Sequence, residues 1–385
     1  MKLLADENIP FVKELFSEFA EIELAEGRGI SKEDLADIDL LIVRSVTDVD
    51  ASLIDGTPVK FVGTATIGMD HLDRAYLDGH SIPYVNAPGC NAIAVAEYIM
   101  SSLFILAKEQ KVDLRHTKVG IVGAGHVGTA LGNRLEQLAI PYGYYDPPLE
   151  RTDTEREYMS YDELKVCDVI SLHVPLTTEL ESKFPTLNMA DDEFFKDMSD
   201  LKLLINTSRG KVVCSDSLKH WLKESDDHQV ILDVWDSEPN IDIELVEQAY
   251  IATPHIAGHS FDGKVRGVFS IYQALAAFLE VEPKQDIETY LKKNRPKDII
   301  HVEQGLSFMK ALSSVILKVY NVRDDDKALR AGLERDIAQH FDRLRKGYKN
   351  RRECSVYRLD PMSLPAGART ALTNIGLRLT DEVPE

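Results

Sequence analysis

Four cysteines in 385 residues, Cys90, Cys167, Cys214 and Cys354, stand far apart and form no C-x-x-C pair. That spacing argues against a disulfide framework and a thiolate metal site, and reduced thiols in a cytoplasm are the expectation. No metal is expected. Nor does any apolar run reach the length of a bilayer span: the longest, Ile99 to Ala107, is interrupted by Ser101 and Ser102. The opening MKLLADENIP turns acidic before an apolar signal segment can form, so neither export nor a membrane role is expected. Cations are also in deficit, with 44 Lys and Arg against 64 Asp and Glu and a formal net charge of −20. Such a field repels nucleic-acid backbones and anionic membrane surfaces. A small anionic partner then needs cations concentrated locally. What is present is ordinary globular composition, 44% apolar and 28% charged, in a chain long enough for two or three domains.

Short apolar runs alternate with helical patterns: LLA near residue 3, LLIVR at 40–44, VKFVGTA at 59–65 and PYVN at 83–86. This is the rhythm of a parallel α/β layer. The run NAIAVAEYIMSSLFILAKEQ has almost no polar face before Lys108 and predicts a long buried helix with Asn91 as its N-cap. Strand, glycine turn and helix follow in TKVGIVGAGHVGTALGNRLEQLAI, with further strands expected at YGYYD, DVISLHV, KLLINTS and QVILDVW. These five make a second doubly wound unit. From about Pro283 the texture changes to KKNRPKDIIHVEQG and then to strongly charged helical sequence, read as a separate α-rich module. No internal repeat is visible.

The run Gly123-Ala-Gly125-His126-Val127-Gly128 is a G-x-G-x-x-G set between a predicted strand and helix. In that context Gly123 makes the tight turn, Gly125 admits a pyrophosphate to the backbone, and Gly128 lets helix and strand pack closely. The helix N-terminus then faces the anion. Asp146, about twenty residues on at the end of the next strand, can accept from a ribose 2′-hydroxyl and repel a 2′-phosphate, which favours NAD over NADP.

Three more polar residues fall after predicted strands, on the edge where open α/β sheets bind ligands: Arg209 after LLINTS, Glu238 after ILDVWDS and His255 in IATPHIAGHS. Oxidation of a 2-hydroxy acid needs an imidazole to take the hydroxyl proton, a carboxylate to orient it, and a guanidinium fork for the substrate carboxylate. The residue types match. Taken singly, a surface arginine, a solvated loop acid and a core histidine remain open readings.

The segments INTSRGKVV, LDVWDSEP, TPHIAGHS and LHVPLTTE resemble matching segments of the D-isomer-specific 2-hydroxyacid dehydrogenases, and NAPGCNAIAVAEY is similar to that family's interdomain helix. The resemblance covers roughly residues 35 to 270. It implies a Rossmann NAD domain and a flavodoxin-like substrate domain, with NAD as cofactor. It also implies Arg209 on the substrate carboxylate, His255 as acid/base and Glu238 as its partner. Asp233, Gly258, Thr207, His173 and Pro175 would line the cofactor.

Narrower features, VRSVTDVD, FVGTATIGMDHLD, YDPP and HIAGHSFDGK, resemble a branch of the family that oxidises a phosphorylated hydroxy acid and carries an extra C-terminal α+β dimerisation module. The implied division is residues 1–93 and 258–284 for substrate, 94–257 for NAD and 285–385 for homodimerisation. Ser45 and Thr66 offer hydroxyls, the turn Thr66 to Gly68 leading into MDHLD offers backbone N–H groups at a helix start, and Arg44 offers a cation. His259, where the family has tyrosine, is a further substrate candidate, and Cys214 stands where an acid or amide is expected. The basic cluster from Arg343 to Arg352 reads either as a solvated helix face or as a source of a phosphate-binding cation. Other substrates, such as phosphoglycerate, and a non-enzymatic NAD-sensing scaffold are the competing readings.

Overall fold

The computed structural model describes residues 1–109 and 111–380. The first apolar runs become a parallel sheet of β1 (Lys2–Asp6), β2 (Glu21–Ala25), β3 (Leu40–Val43), β4 (Phe61–Thr64) and β5 (Tyr84–Val85), ordered β2-β1-β3-β4-β5. This is the flavodoxin-like doubly wound order. β3 and β4 are buried along their whole length, as strands covered on both faces must be, and therefore read as unbroken apolar runs. The edge strand β2, EIELA, is only half-buried and alternates charged with apolar residues, so no apolar run marks it. Helix Phe261–Phe278 covers this sheet, packing Val265, Val268, Phe269 and Ile271 with Leu3, Leu40, Ile42 and Phe61. Ser260 Oγ caps it by accepting the Gly263 N–H at 2.8 Å. Residues 1–91 and 260–295 form this unit.

Residues 92–259 and 296–385 form the other. Its parallel sheet contains β6 (Val119–Val122), β7 (Tyr142–Tyr145), β8 (Val169–Leu172), β9 (Leu203–Asn206), β10 (Gln229–Leu232) and β11 (Ile251–Ala252), ordered β11-β10-β9-β8-β6-β7. Five of these strands match the expected ones; β11, two residues long, is too short to declare itself. The chain runs outward from β6 to β7 and then crosses back to β8. The topological switch point, where such sheets open a ligand crevice, therefore lies between β6 and β8.

Helix Ala92–Lys108 is buried almost throughout. Asn91 does not cap it, since its buried Oδ1 accepts no hydrogen bond from any described residue; packing of the apolar faces holds the helix instead. The serines that interrupt its apolar run are satisfied internally. Ser101 Oγ donates to Tyr320 O at 2.9 Å and accepts from the Val322 N–H at 3.1 Å, and Ser102 Oγ donates to Tyr98 O. Those contacts tie residues 296–385, nearly a quarter of the chain, to this helix. Helix Phe308–Val319 lays Ala311, Leu312, Val315 and Ile316 into the core that holds Tyr98, Leu103 and Ile105. The segment is α+β, as the resemblance implies: beside its helices it contains a small parallel sheet that the charged helical texture did not mark, β12 (Ile299–Ile300), β13 (Arg358–Leu359) and β14 (Arg378–Leu379). The observed boundaries thus fall after Asn91, His259 and Arg295, and residues 296–385 join the dinucleotide unit. Among the described residues no helix is long and apolar enough to cross a membrane.

Candidate active site

The glycine turn sits at the switch point and opens helix His126–Gln137 with Gly125 as N-cap. Gly123 has φ +95°, and a methyl there would stand 2.5 Å from the His173 carbonyl; one on Gly128 would stand 2.0 Å from Gly123 O. Neither position tolerates a side chain. A methyl on Gly125 would meet nothing within 4 Å, so the backbone there is open to a close approach in front of the helix N-terminus. His126 is exposed and Val127 half-buried on the first turn. Asp146 follows β7 and ties the turn down, accepting the Ala124 N–H at 2.8 Å and the Leu149 N–H at 3.0 Å. Each carboxylate oxygen keeps a lone pair for ribose hydroxyls. These residues fit a dinucleotide.

The remaining candidates line the same carboxyl edge. His173 follows β8, its Nε2 2.9 Å from Ser171 Oγ and its Nδ1 3.4 Å from Thr207 Oγ1. Burial pulls its imidazole down to about 3, so the ring is neutral across the physiological range. Pro175 lies just beyond on exposed chain. After β9, Asn206, 1% exposed, shapes the loop by donating to Arg209 O at 2.9 Å and accepting from the Ser208 N–H and hydroxyl. A methyl on Gly210 would stand 1.9 Å from Trp235 backbone, so only glycine lets this loop press against the next one. Arg209 Nη1 donates to Ser208 O at 2.8 Å.

Asp233 follows β10 and is 1% exposed. Its carboxylate accepts from Thr253 Oγ1 (2.6 Å), the Ile256 N–H (2.8 Å) and the Ala257 N–H (2.9 Å). It therefore anchors the loop carrying His255, Gly258 and His259 rather than presenting a bare carboxylate. Burial pushes this carboxyl up. His255 itself has φ +54°, a left-handed conformation held by its own N–H on Asp233 O at 2.7 Å.

Glu238 and His255 meet: Oε2 lies 2.7 Å from Nδ1, while Oε1 accepts the Trp235 N–H at 3.0 Å. Burial alone would raise the Glu238 carboxyl. The His255 charge and hydrogen bond, then the Arg345 charge and the Trp235 N–H, bring it below the usual carboxylate range. A carboxylate that stays ionised beside Nδ1 selects the tautomer with Nδ1 protonated and leaves Nε2 to exchange a proton.

In the N-terminal unit, Arg44 follows β3 and grips the fully buried Asp6 through Nε (2.8 Å) and Nη2 (3.3 Å), so its charge is already balanced. Ser45 beside it is exposed. Thr66 Oγ1 bonds Thr64 Oγ1 and donates to Gly68 O. The 66–68 turn does not open a helix as expected. Leu72 bridges extended to Val49, His71 bonds Thr64, and the helix starts only at Arg74 with Asp73 capping Tyr76.

Sequence reasoning missed Lys264. It lies one turn before Gly267, whose Cβ position is 3.1 Å from Ala65 O, and burial followed by the Arg44 charge holds its ammonium below the ordinary range. Nothing but its place in FDGK, one turn into a helix after the histidine motif, could have marked it. Among the described residues no group of three or more His, Cys, Asp or Glu stands in a metal-holding arrangement.

Residues 96–257 match the model of the D-isomer specific 2-hydroxyacid dehydrogenase NAD binding domain, and residues 294–376 match a domain of unknown function. The erythronate-4-phosphate dehydrogenase of Shewanella halifaxensis is 41% identical over 361 residues, 93% of this chain and 94% of that protein. The one from Hahella chejuensis is 38% identical over 385 residues, 99% and 100% of the two. A crystal structure of NAD-dependent formate dehydrogenase from Staphylococcus aureus with NAD superposes with a TM-score of 0.60 at 26% identity, covering 74% of this chain and 98% of that one. The chain belongs to the erythronate-4-phosphate dehydrogenases, a branch of the D-isomer-specific 2-hydroxyacid dehydrogenases, and is an NAD-dependent oxidoreductase.

Proposed function

We propose that this protein oxidises 4-phospho-D-erythronate to 2-oxo-3-hydroxy-4-phosphobutanoate, a step of vitamin B6 biosynthesis, in the cytoplasm and as a homodimer formed through residues 285–385. The observation that carries the chemistry is the Glu238–His255 pair, 2.7 Å from oxygen to nitrogen, in loops that follow strands of the same parallel sheet as the dinucleotide turn. The substrate follows from the relatives' shared name over nearly the whole chain. Arg209 binds the substrate carboxylate. His255 takes the C2 hydroxyl proton on Nε2, and Glu238 stabilises the imidazolium that results. Gly123, Gly125, His126, Val127, Gly128 and Asp146 hold the dinucleotide, and His173, Pro175, Thr207 and Gly258 border it, with Asp233 holding the loop. Bound NAD supplies the hydride acceptor. Arg44, Ser45, Thr66, Gly68, His259 and Lys264 serve the phosphorylated substrate.

The test is turnover followed by reduced-nicotinamide absorbance with NAD and 4-phospho-erythronate, a keto-acid acceptor being present to recycle cofactor that stays bound. Saturable turnover, little activity on 3-phosphoglycerate, and loss of turnover in His255→Ala with NAD binding retained are the expected results. Preference for another 2-hydroxy acid overturns the substrate, and a fully active His255→Ala overturns the mechanism. Light scattering checks the dimer, with a monomer overturning that assignment.

A further inference from the structure

Arg351 lies far along the chain from the dinucleotide turn, yet its guanidinium reaches the catalytic loop. It is 4% exposed, and its Nη2 donates to Ala257 O at 2.7 Å and to Ala94 O on helix Ala92–Lys108 at 2.8 Å. The guanidinium carbon stands 4.2 Å from the Tyr320 ring centroid, and its Nε and Nη1 are buried without hydrogen-bond partners among the described residues. A buried cation with unmet donors is an expensive way to fill a core. Its placement makes sense from the side of the loop. His255 is held in a left-handed conformation that a non-glycine residue keeps only when its surroundings over-determine it. Asp233 secures the donor side of this loop through the N–H groups of Ile256 and Ala257. Arg351 secures the acceptor side at the next peptide, through Ala257 O. Tyr348 adds a third contact from the same segment, edge-on to His259 at 5.9 Å between centroids.

We propose that Arg351 is a positioning residue for His255, clamping the 255–257 loop against Asp233 so that residues 296–385 take part in aligning the proton-transfer group of their own chain. The inference rests on the dehydrogenase reading above. The geometry gives Arg351 no contact with a reacting group; it acts through the loop backbone.

The experiment compares full-length wild type, Arg351→Lys and Arg351→Ala for NAD affinity, kcat, KM, the pH–rate profile and thermal unfolding, and adds ethylguanidinium to Arg351→Ala. Misplacing a catalytic group by about 1 Å costs on the order of 10²-fold. Arg351→Ala should therefore lose kcat on that scale with NAD affinity within about twofold, show an altered pH profile, and recover in part with ethylguanidinium. Arg351→Lys, which keeps the charge but lacks the planar fork, should fall between the two. A folded Arg351→Ala with wild-type kcat and pH profile overturns the proposal. So does activity lost only in proportion to the unfolded fraction. Should Arg351→Ala fail to fold, the folded Arg351→Lys decides on the same readings. Failure of the underlying reading is seen separately, in wild type and His255→Ala.

Discussion

Nδ1 of His255 and Oε2 of Glu238 stand 2.7 Å apart, and the second oxygen of the same carboxylate is fixed by the Trp235 N–H. The acid is thus oriented before it orients the imidazole, which leaves the ring one orientation and one tautomer. Glu238→Gln keeps the shape but removes the charge that stabilises imidazolium. We expect kcat to fall by about 10²-fold or more, within the range general acid–base groups contribute, with NAD affinity unchanged. Because the Glu238 carboxyl lies below its usual range, it is ionised throughout neutral pH. The loss should therefore persist across that range, and a variant as active as wild type in steady-state assays would refute the pairing's role.

Asp146 ties down the Ala124 N–H at the end of β7, and in the proposed function it also reads the ribose hydroxyls. Asp146→Asn retains an acceptor for the turn and loses the charge that repels a 2′-phosphate. The NAD-to-NADP ratio of kcat/KM should fall by roughly tenfold, equivalent to about 1.4 kcal/mol. An unchanged ratio would move cofactor selection elsewhere.

How much of this could be read beforehand follows burial and spacing. β3, β4, β8, β9 and the glycine turn announced themselves because strands buried on both faces must be apolar and because the turn admits only glycine at Gly123 and Gly128. Arg209, Glu238 and His255 could be picked out because each follows a strand of one sheet, and the structure joins Glu238 to His255. β2 and β11 were not, one being a half-exposed edge and the other two residues long. Long-range partners were equally silent: nothing local to the charged sequence KNRRE around Arg351 or to Ser101 tells that these side chains close on Ala257 or Tyr320. The basic cluster from Arg343 to Arg352, open to reading as a solvated face or as a phosphate-binding cation, contains Arg351 and Arg352, both buried, and the adjacent Glu353 is buried too.

Lys264 and Arg44 are like charges close enough to depress the lysine, and Arg44 alone is neutralised by Asp6. An incoming phosphate dianion would relieve that repulsion. Lys264→Met should raise KM for 4-phospho-erythronate by about ten- to hundredfold, the worth of one charged hydrogen bond at roughly 1.5–3 kcal/mol, while leaving kcat/KM for unphosphorylated erythronate unchanged. Equal effects on both substrates would show that the lysine does not contact the phosphate.

Glu97 gives the fold a pH dependence of its own. It is 3% exposed, inside helix Ala92–Lys108, and accepts the Cys354 N–H at 2.9 Å. Burial, and then the neighbouring Glu353 charge, push its carboxyl up from 4.5 to about 7, with Arg134 at 3.8 Å opposing. Between those two values the native state is expected to hold a proton that the unfolded chain has released, so we expect stability to fall as pH rises through the window and to level off above it. The total is on the order of 3 kcal/mol, from about 1.4 kcal/mol per pH unit. Glu97→Gln keeps an oxygen for the Cys354 N–H and cannot ionise. Urea unfolding at a series of pH values should show the wild-type decline between about 4.5 and 7 and a flatter profile in the variant. Parallel profiles would mean that Glu97 is ionised in the folded protein throughout, its charge balanced by Arg134.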